Sequence, residues 1–206
     1  MIIIDNISDV EKFVDYVDVI TFDLDDTLYS EKDYVKSGFE AIAHKYPYIQ
    51  DFEKKLWDAF IEGKKAIDFV LNQENMDYEK ERCLDIYRRH KPKISLYPNV
   101  FNMLQRIKKI KKTAMITDGR PEGQWAKIDA LGLKPLMDQI IVTDELGGAI
   151  FRKPNEKAFI LLREYFNCKY EKMVYVGDNI NKDFVAPEKL GMECIYFKNK
   201  EGLYNA

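Results

Sequence analysis

Two periodicities alternate along the chain. Short apolar runs at 17–22, 113–117, 139–143, 173–176 and 194–197 carry few polar breaks and many β-branched residues. That is the habit of strands buried on both faces of a parallel sheet. Between them, apolar residues recur at helical spacing. Val100, Leu104 and Ile107 share one face, and so do Trp125, Ile128 and Leu131, after which Gly132 supplies a C-terminal stop. The segment 154–166 opens on proline, favoured at the first helical position, and turns Ala158, Leu161, Leu162 and Phe166 inward. Residues 7–16 read as a short leading helix and 2–4 as an extra edge strand. Strand alternating with helix predicts an α/β fold with a doubly wound parallel sheet.

One stretch breaks the alternation. Between about Ser30 and Ser95 helical sets follow one another without a strand pattern: Val35, Phe39, Ile42 and Tyr46; Phe52, Leu56 and Phe60; Ile67, Val70 and Leu71; Leu84 and Tyr87. An all-helical module is therefore expected as an insertion after the first sheet strand. It leaves through residues 91–98, where Pro92 and Pro98 resist helix. The expected division is 1–29 and 96–206 as the α/β core and 30–95 as the helical cap.

Composition narrows the function. The chain is 46% hydrophobic and 13% aromatic, enough to build a core, which excludes a disordered chain. The net charge of −3 lacks the basic footprint of a nucleic-acid binder. The lysines at 108, 109, 111 and 112 complement a helix C-terminus. No apolar run reaches the roughly 18 residues of a membrane span, and the first residues lack a secretory pattern. Cys83, Cys168 and Cys194 are far apart and odd in number, as expected of reduced thiols. With His44 and His90 also distant and no Cys-x-x-Cys, a zinc site is not expected. The reading is a cytoplasmic protein with no nucleic-acid or membrane partner.

Ligands of open parallel sheets bind at the carboxyl ends of the strands. Here those ends carry Asp23-Leu24-Asp25-Asp26-Thr27, then Thr117-Asp118-Gly119, then Lys153 beyond a loop, then Gly177-Asp178 with Asp183 five residues on. Single strand-end aspartates are usually turn formers and caps, but four polar sites in order on one rim are not explained that way. Several carboxylates without histidine or cysteine suit a hard cation, Mg²⁺ before others. Such a cation commonly completes its shell with substrate phosphate oxygens. Arg120, Arg152, Trp57 and the Gly147-Gly148 pair are weaker candidates, each explained as well by surface, structural or packing roles.

The segment Phe22-Asp-Leu-Asp-Asp-Thr-Leu-Tyr29 resembles the first motif of the haloacid dehalogenase (HAD) superfamily. Thr117, Lys153 and Gly177-Asp178 with Asp183 match its second, third and fourth motifs in order, so the resemblance spans the chain. It implies a Rossmann-like core with a type-1 helical cap and a phosphatase for a small phosphorylated metabolite, working through an aspartyl-phosphate. In that scheme Asp23 is the nucleophile and Asp25 the general acid and then base. Thr117, the Asp118 backbone N–H and Lys153 bind the phosphoryl group. Asp23, the Asp25 carbonyl and Asp178 hold Mg²⁺, and Asp183 stands behind them or orients Lys153. A phosphomutase resembling β-phosphoglucomutase shares these motifs, although Asp26-Thr27-Leu28 is more phosphatase-like. A dehalogenase is disfavoured by Asp25. From a different class, a catalytically silent HAD-fold binding module is the remaining alternative, disfavoured by the complete set of Asp23, Asp25, Lys153 and Asp178.

Overall fold

A computed structural model describes residues 1–203 of the chain. Six strands form one sheet: β1 (Ile2–Ile4), β2 (Val19–Phe22), β3 (Lys112–Thr117), β4 (Gln139–Val142), β5 (Met173–Gly177) and β6 (Glu193–Phe197). Their spatial order is β1-β6-β5-β2-β3-β4 and every pairing is parallel. β2 lies in the middle, between β3 and β5, and all four of its residues are buried. The chain builds outward from β2 to β4 on one side, then returns to β5 on the other. The carboxyl ends of β2, β3 and β5 consequently sit side by side, at the place where such a sheet binds ligands.

Between β2 and β3 the chain inserts four helices: α1 (Glu31–Lys45), α2 (Phe52–Ile61), α3 (Ala66–Gln73) and α4 (Lys80–Arg89). α5 (Val100–Ile110) leads into β3. α6 (Pro121–Ala130), α7 (Lys157–Phe166) and α8 (Val185–Leu190) follow β3, β4 and β5. The doubly wound sheet with an inserted helical cap is thus the observed architecture. Among the described residues two compact units are present, one of residues 1–31 with 95–203 and one of Lys32–Ile94. The first has a core of Val19, Ala114, Ile116, Phe159, Leu162, Tyr175 and Phe184. The second packs Phe39, Ile42, Tyr46, Phe52, Leu56, Val70, Leu71 and Cys83 together, so the helical spacing read from the sequence does mark a buried face. Among the described residues, no helix is long and apolar enough to cross a membrane.

Three local expectations are corrected. The leading helix is a 3-10 segment, Ile7–Phe13, capped by the Asn6 side chain; Asp15 and Tyr16 are exposed and outside it. The helix expected from Pro154 begins at Lys157, whose N–H is accepted by the Asn155 side chain at 2.9 Å. Finally, Thr143 lies outside the strand and starts a 3-10 turn, with its hydroxyl donating to Asp118 at 2.9 Å.

Candidate active site

The site grows from the end of β2. Asp23 continues the sheet pattern, its N–H bonding the Val176 carbonyl at 2.8 Å, so its carboxylate is presented from rigid backbone. The chain then turns off the sheet. Asp26 takes the left-handed conformation at φ 54°, which a short polar side chain tolerates. Its buried carboxylate accepts from the N–H groups of Glu31 (2.9 Å) and Leu203 (2.7 Å), and its carbonyl accepts from Asn199 (2.7 Å). Asp26 therefore fixes the turn that carries Asp25 and Thr27.

Lys153 closes the first cluster. Its side chain is fully buried and its ammonium reaches Asp23, Asp183 at 2.8 Å and the Tyr175 hydroxyl at 2.8 Å. The ammonium hydrogen-bonds Asp23 and the Tyr175 hydroxyl and forms an ion pair with Asp183 Oδ1, which itself has no hydrogen-bond partner among the described residues. Burial alone would lower its pKa, but Asp183 and Asp23 outweigh burial and hold it well above the ordinary lysine value. Asp183 also accepts from the Asn179 N–H at 2.9 Å through its other oxygen. It reaches this position because residue 177 is glycine: a Cβ there would stand 2.5 Å from Asp183 Oδ2.

Asp23, Asp178 and Asp183 each bring a carboxylate oxygen within 4.8 Å of the others, and all three are buried. Lys153 pairs directly with Asp23 and Asp183, and acts on Asp178 only from a distance. Asp178 has among the described residues a single hydrogen bond, from the Thr27 hydroxyl at 3.2 Å, and that same hydroxyl faces Asp23 at 3.3 Å. One proton cannot serve both carboxylates fully. Burial, then the Asp23 and Asp183 charges, push Asp178 up to about 8. Burial pushes Asp23 up to about 6 despite Lys153, with Asp183 adding to the rise. An oxygen-only, charge-crowded pocket of this kind fits a hard divalent cation.

A second cluster surrounds Asp25. Its Oδ1 accepts from Tyr29 and from Lys127 at 2.7 Å, and its Oδ2 from Gln124 at 2.9 Å. Burial would raise this carboxyl, but Lys127, with the Tyr29 and Gln124 donors, holds it below the ordinary aspartate value. Thr117 is buried at the end of β3, 2.8 Å from the Gln124 amide nitrogen. The Asp118 side chain ties three rim segments together, accepting from Thr143 (2.9 Å) and the Lys153 N–H (3.1 Å) and facing Lys182 at 3.7 Å.

The weaker candidates fall elsewhere. Arg152 forms a two-point pair with Asp144 at 2.7 Å, and Arg120 is exposed at the start of α6. Gly147 and Gly148 have positive φ in a turn. Trp57 packs on the insert core beneath the Lys36 ammonium, 4.6 Å from its ring centre.

Sequence reasoning gave no role to Thr27, Tyr29, Tyr175, Gln124 or Lys127. On α6 it turned Trp125 inward with Ile128 and Leu131. The structure instead buries Gln124, Lys127 and Ile128 and leaves Trp125 half-buried, bonded to Glu145 at 2.8 Å. The helix points a polar stripe at Asp25, and ion pairing makes that burial tolerable. A glutamine and a lysine three apart, in line with Ile128, were the available signal.

Residues 20–197 match the family of haloacid dehalogenase-like hydrolases. The glyceraldehyde 3-phosphate phosphatase of Methanocaldococcus jannaschii is 28% identical over 193 residues, covering 84% of this chain and 81% of that protein. Among solved structures, a HAD-superfamily hydrolase of subfamily IA from Geobacter sulfurreducens superposes with TM-score 0.71 at 13% identity, over 90% of this chain and 89% of that one. The HAD hydrolase YfnB from Bacillus subtilis, solved with magnesium bound, gives TM-score 0.64 at 18% identity, over 87% and 86%. With the four rim motifs in register on this sheet, the chain belongs to the haloacid dehalogenase-like hydrolases.

Proposed function

We propose that the protein is a Mg²⁺-dependent phosphatase that hydrolyses a small phosphorylated metabolite through an aspartyl-phosphate on Asp23. The observation that carries this reading is the pairing of Asp23 with the buried Lys153, beside the Asp178 carboxylate, with which Lys153 does not pair. Asp23 attacks phosphorus, the bond from phosphorus to the leaving oxygen breaks, and that oxygen takes a proton from Asp25. The Asp25 carboxyl, held low by Lys127 in the free site, is raised by the charge of the incoming phosphate dianion. Water then attacks the same phosphorus, Asp25 accepts its proton, and the bond to Asp23 breaks to release phosphate. Thr117 and the Asp118 N–H hold phosphoryl oxygens, and Lys153 offsets the charge of nucleophile and phosphate. Asp23, Asp178 and the Asp25 carbonyl would hold Mg²⁺, with Asp183 keeping Lys153 in place; the cation supplies charge neutralisation for the phosphoryl group. Relatives named for glyceraldehyde 3-phosphate make a three-carbon phosphate the first substrate to try. Phosphate release from a panel of small monoesters, with and without Mg²⁺, tests the reading. Release from none of them, or interconversion of sugar phosphates without release, contradicts it.

Metal binding should be linked to protons. Ligand carboxylates must be ionised, and in the metal-free site Asp178 sits at about 8 and Asp23 at about 6. At pH 7, Mg²⁺ uptake should therefore release about one proton, and affinity should rise from pH 6 to 8 and level off above. Calorimetry in two buffers of different ionisation enthalpy reads the proton count. Affinity that is flat from pH 6 to 9 contradicts this assignment of ligands. Activity should vanish in excess chelator and return with Mg²⁺.

We further propose that the helical insert is a cap module and that the core folds independently of it. Tyr29 pairs with Leu96, and the Tyr97 N–H meets the Leu28 carbonyl at 2.9 Å, so the outgoing and returning segments run side by side. Replacing residues 32–94 by a short glycine-serine linker should leave a protein that melts cooperatively. It should still hydrolyse an aryl phosphate slowly while discriminating poorly among natural monoesters. A product with no cooperative melt would contradict the division.

A further inference from the structure

We propose that Gln124 and Lys127 of α6 are positioning residues for the reaction, clamping Asp25 so that one lone pair of its Oδ2 is the one that exchanges protons with the leaving group and with water. The inference rests on the reading of Asp25 as acid and base. A carboxylate oxygen offers about two acceptor sites. Oδ1 already accepts from Tyr29 and Lys127, whereas Oδ2 accepts from Gln124 alone among the described residues. The reactive oxygen is thereby selected by geometry. Both clamp residues are buried, at 3% and 6% exposure, in a helix whose other buried residue is Ile128, so they are fixed by packing rather than held loosely at a surface.

Gln124 has a second task. Its two amide protons are shared among three oxygens, Asp25 Oδ2, the Asp118 carbonyl at 2.5 Å and Thr117 Oγ1 at 2.8 Å. The first two can only accept, which settles the amide orientation. Thr117 is therefore held on its oxygen side, and its hydroxyl proton, with no acceptor among the described residues, is kept for a phosphoryl oxygen. Gly119 makes room for this arrangement. It has φ +138°, and a Cβ there would lie 3.2 Å from the Gln124 amide. One side chain thus couples the proton-transfer group on the β2 end to the phosphoryl donor on the β3 end.

The two residues should leave different kinetic signatures in the first chemical step, read as alcohol release in single turnover with enzyme in excess. Lys127→Met also removes the cation that holds the Asp25 carboxyl low, which by itself favours proton donation. Release of a poor leaving group such as glycerol from glycerol phosphate should nevertheless slow on the order of 10²-fold, the lower range of general acid catalysis, because the carboxyl loses its orientation. It should change release of p-nitrophenol, which needs little protonation, by less than about 3-fold. Gln124→Met should show the same selective loss together with a further loss common to both substrates, because Thr117 loses its orientation. Lys127→Arg, keeping charge and donor, should restore most of the glycerol phosphate rate. Asp25→Asn is run in parallel. If Asp25→Asn shows no dependence on leaving group, the reading of Asp25 itself fails. If Asp25→Asn shows it and Lys127→Met slows both substrates equally, or neither, the clamp is wrong. Should Lys127→Met fail to fold, Gln124→Met against Lys127→Arg carries the same comparison: a selective loss in the former with near-normal ratios in the latter supports the clamp, and equal ratios in all variants overturn it.

Discussion

Replacing Asp23 by asparagine should lower turnover by on the order of 10⁴- to 10⁶-fold, the range seen when a covalent nucleophile is removed. An amide cannot attack phosphorus to form the acyl phosphate. The fold should not suffer. Asp23 is buried and raised to about 6, so the folded state binds its proton more tightly than the unfolded state does. Its contribution to stability is present at low pH and lost as pH rises through about 6. At pH 8 the metal-free wild type carries that cost and the asparagine variant does not, while Lys153 keeps Asp183 and Tyr175. The metal-free melting temperature of Asp23→Asn at pH 8 should therefore equal or exceed that of wild type. A marked drop would mean that the Asp23–Lys153 contact supports the fold, not the chemistry.

Lys153→Met should have the opposite balance. The ammonium lies among Asp23, Asp183 and the Tyr175 hydroxyl with no solvent exposure. Removing it leaves two buried carboxylates without their cation, a change that typically costs about 3–5 kcal/mol. Turnover should fall at least on the order of 10²- to 10³-fold, as for loss of one preorganised donor to the transition state. Because the penalty comes from ionised carboxylates, lowering the pH should recover stability in the variant more than in wild type. Thermal melts of both proteins from pH 5 to 8 check the sign: the gap between them should widen as pH rises. A constant gap would place the loss in packing instead of charge.

These effects fall on residues that the chain announces unevenly. Asp23, Thr117, Lys153 and Asp178 stand at strand ends, and apolar runs with a polar terminus are visible in one dimension. The sheet order was not: that β2 lies between β3 and β5 follows from packing of the whole chain. The supporting groups were hidden for the same reason. Tyr175 sits inside an apolar strand and reads as core, yet its hydroxyl completes the Lys153 shell. Gln124 and Lys127 look like ordinary surface positions of a helix, since only the approach of Asp25 from a segment about 100 residues earlier makes their burial favourable. Thr27 was visible as part of a pattern, but its bridging of Asp23 and Asp178 depends on the left-handed turn at Asp26.

The central claim is covalent transfer to Asp23, and trapping tests it directly. Protein mixed with a ³²P-labelled aryl phosphate and Mg²⁺, quenched in acid within milliseconds and digested, should yield label on the peptide containing Asp23. Asp25→Asn should accumulate more label per turnover than wild type, since the water that cleaves the aspartyl-phosphate lacks its base. Label on a serine, threonine or histidine, or unlabelled protein during turnover together with activity in Asp23→Asn, would contradict the account.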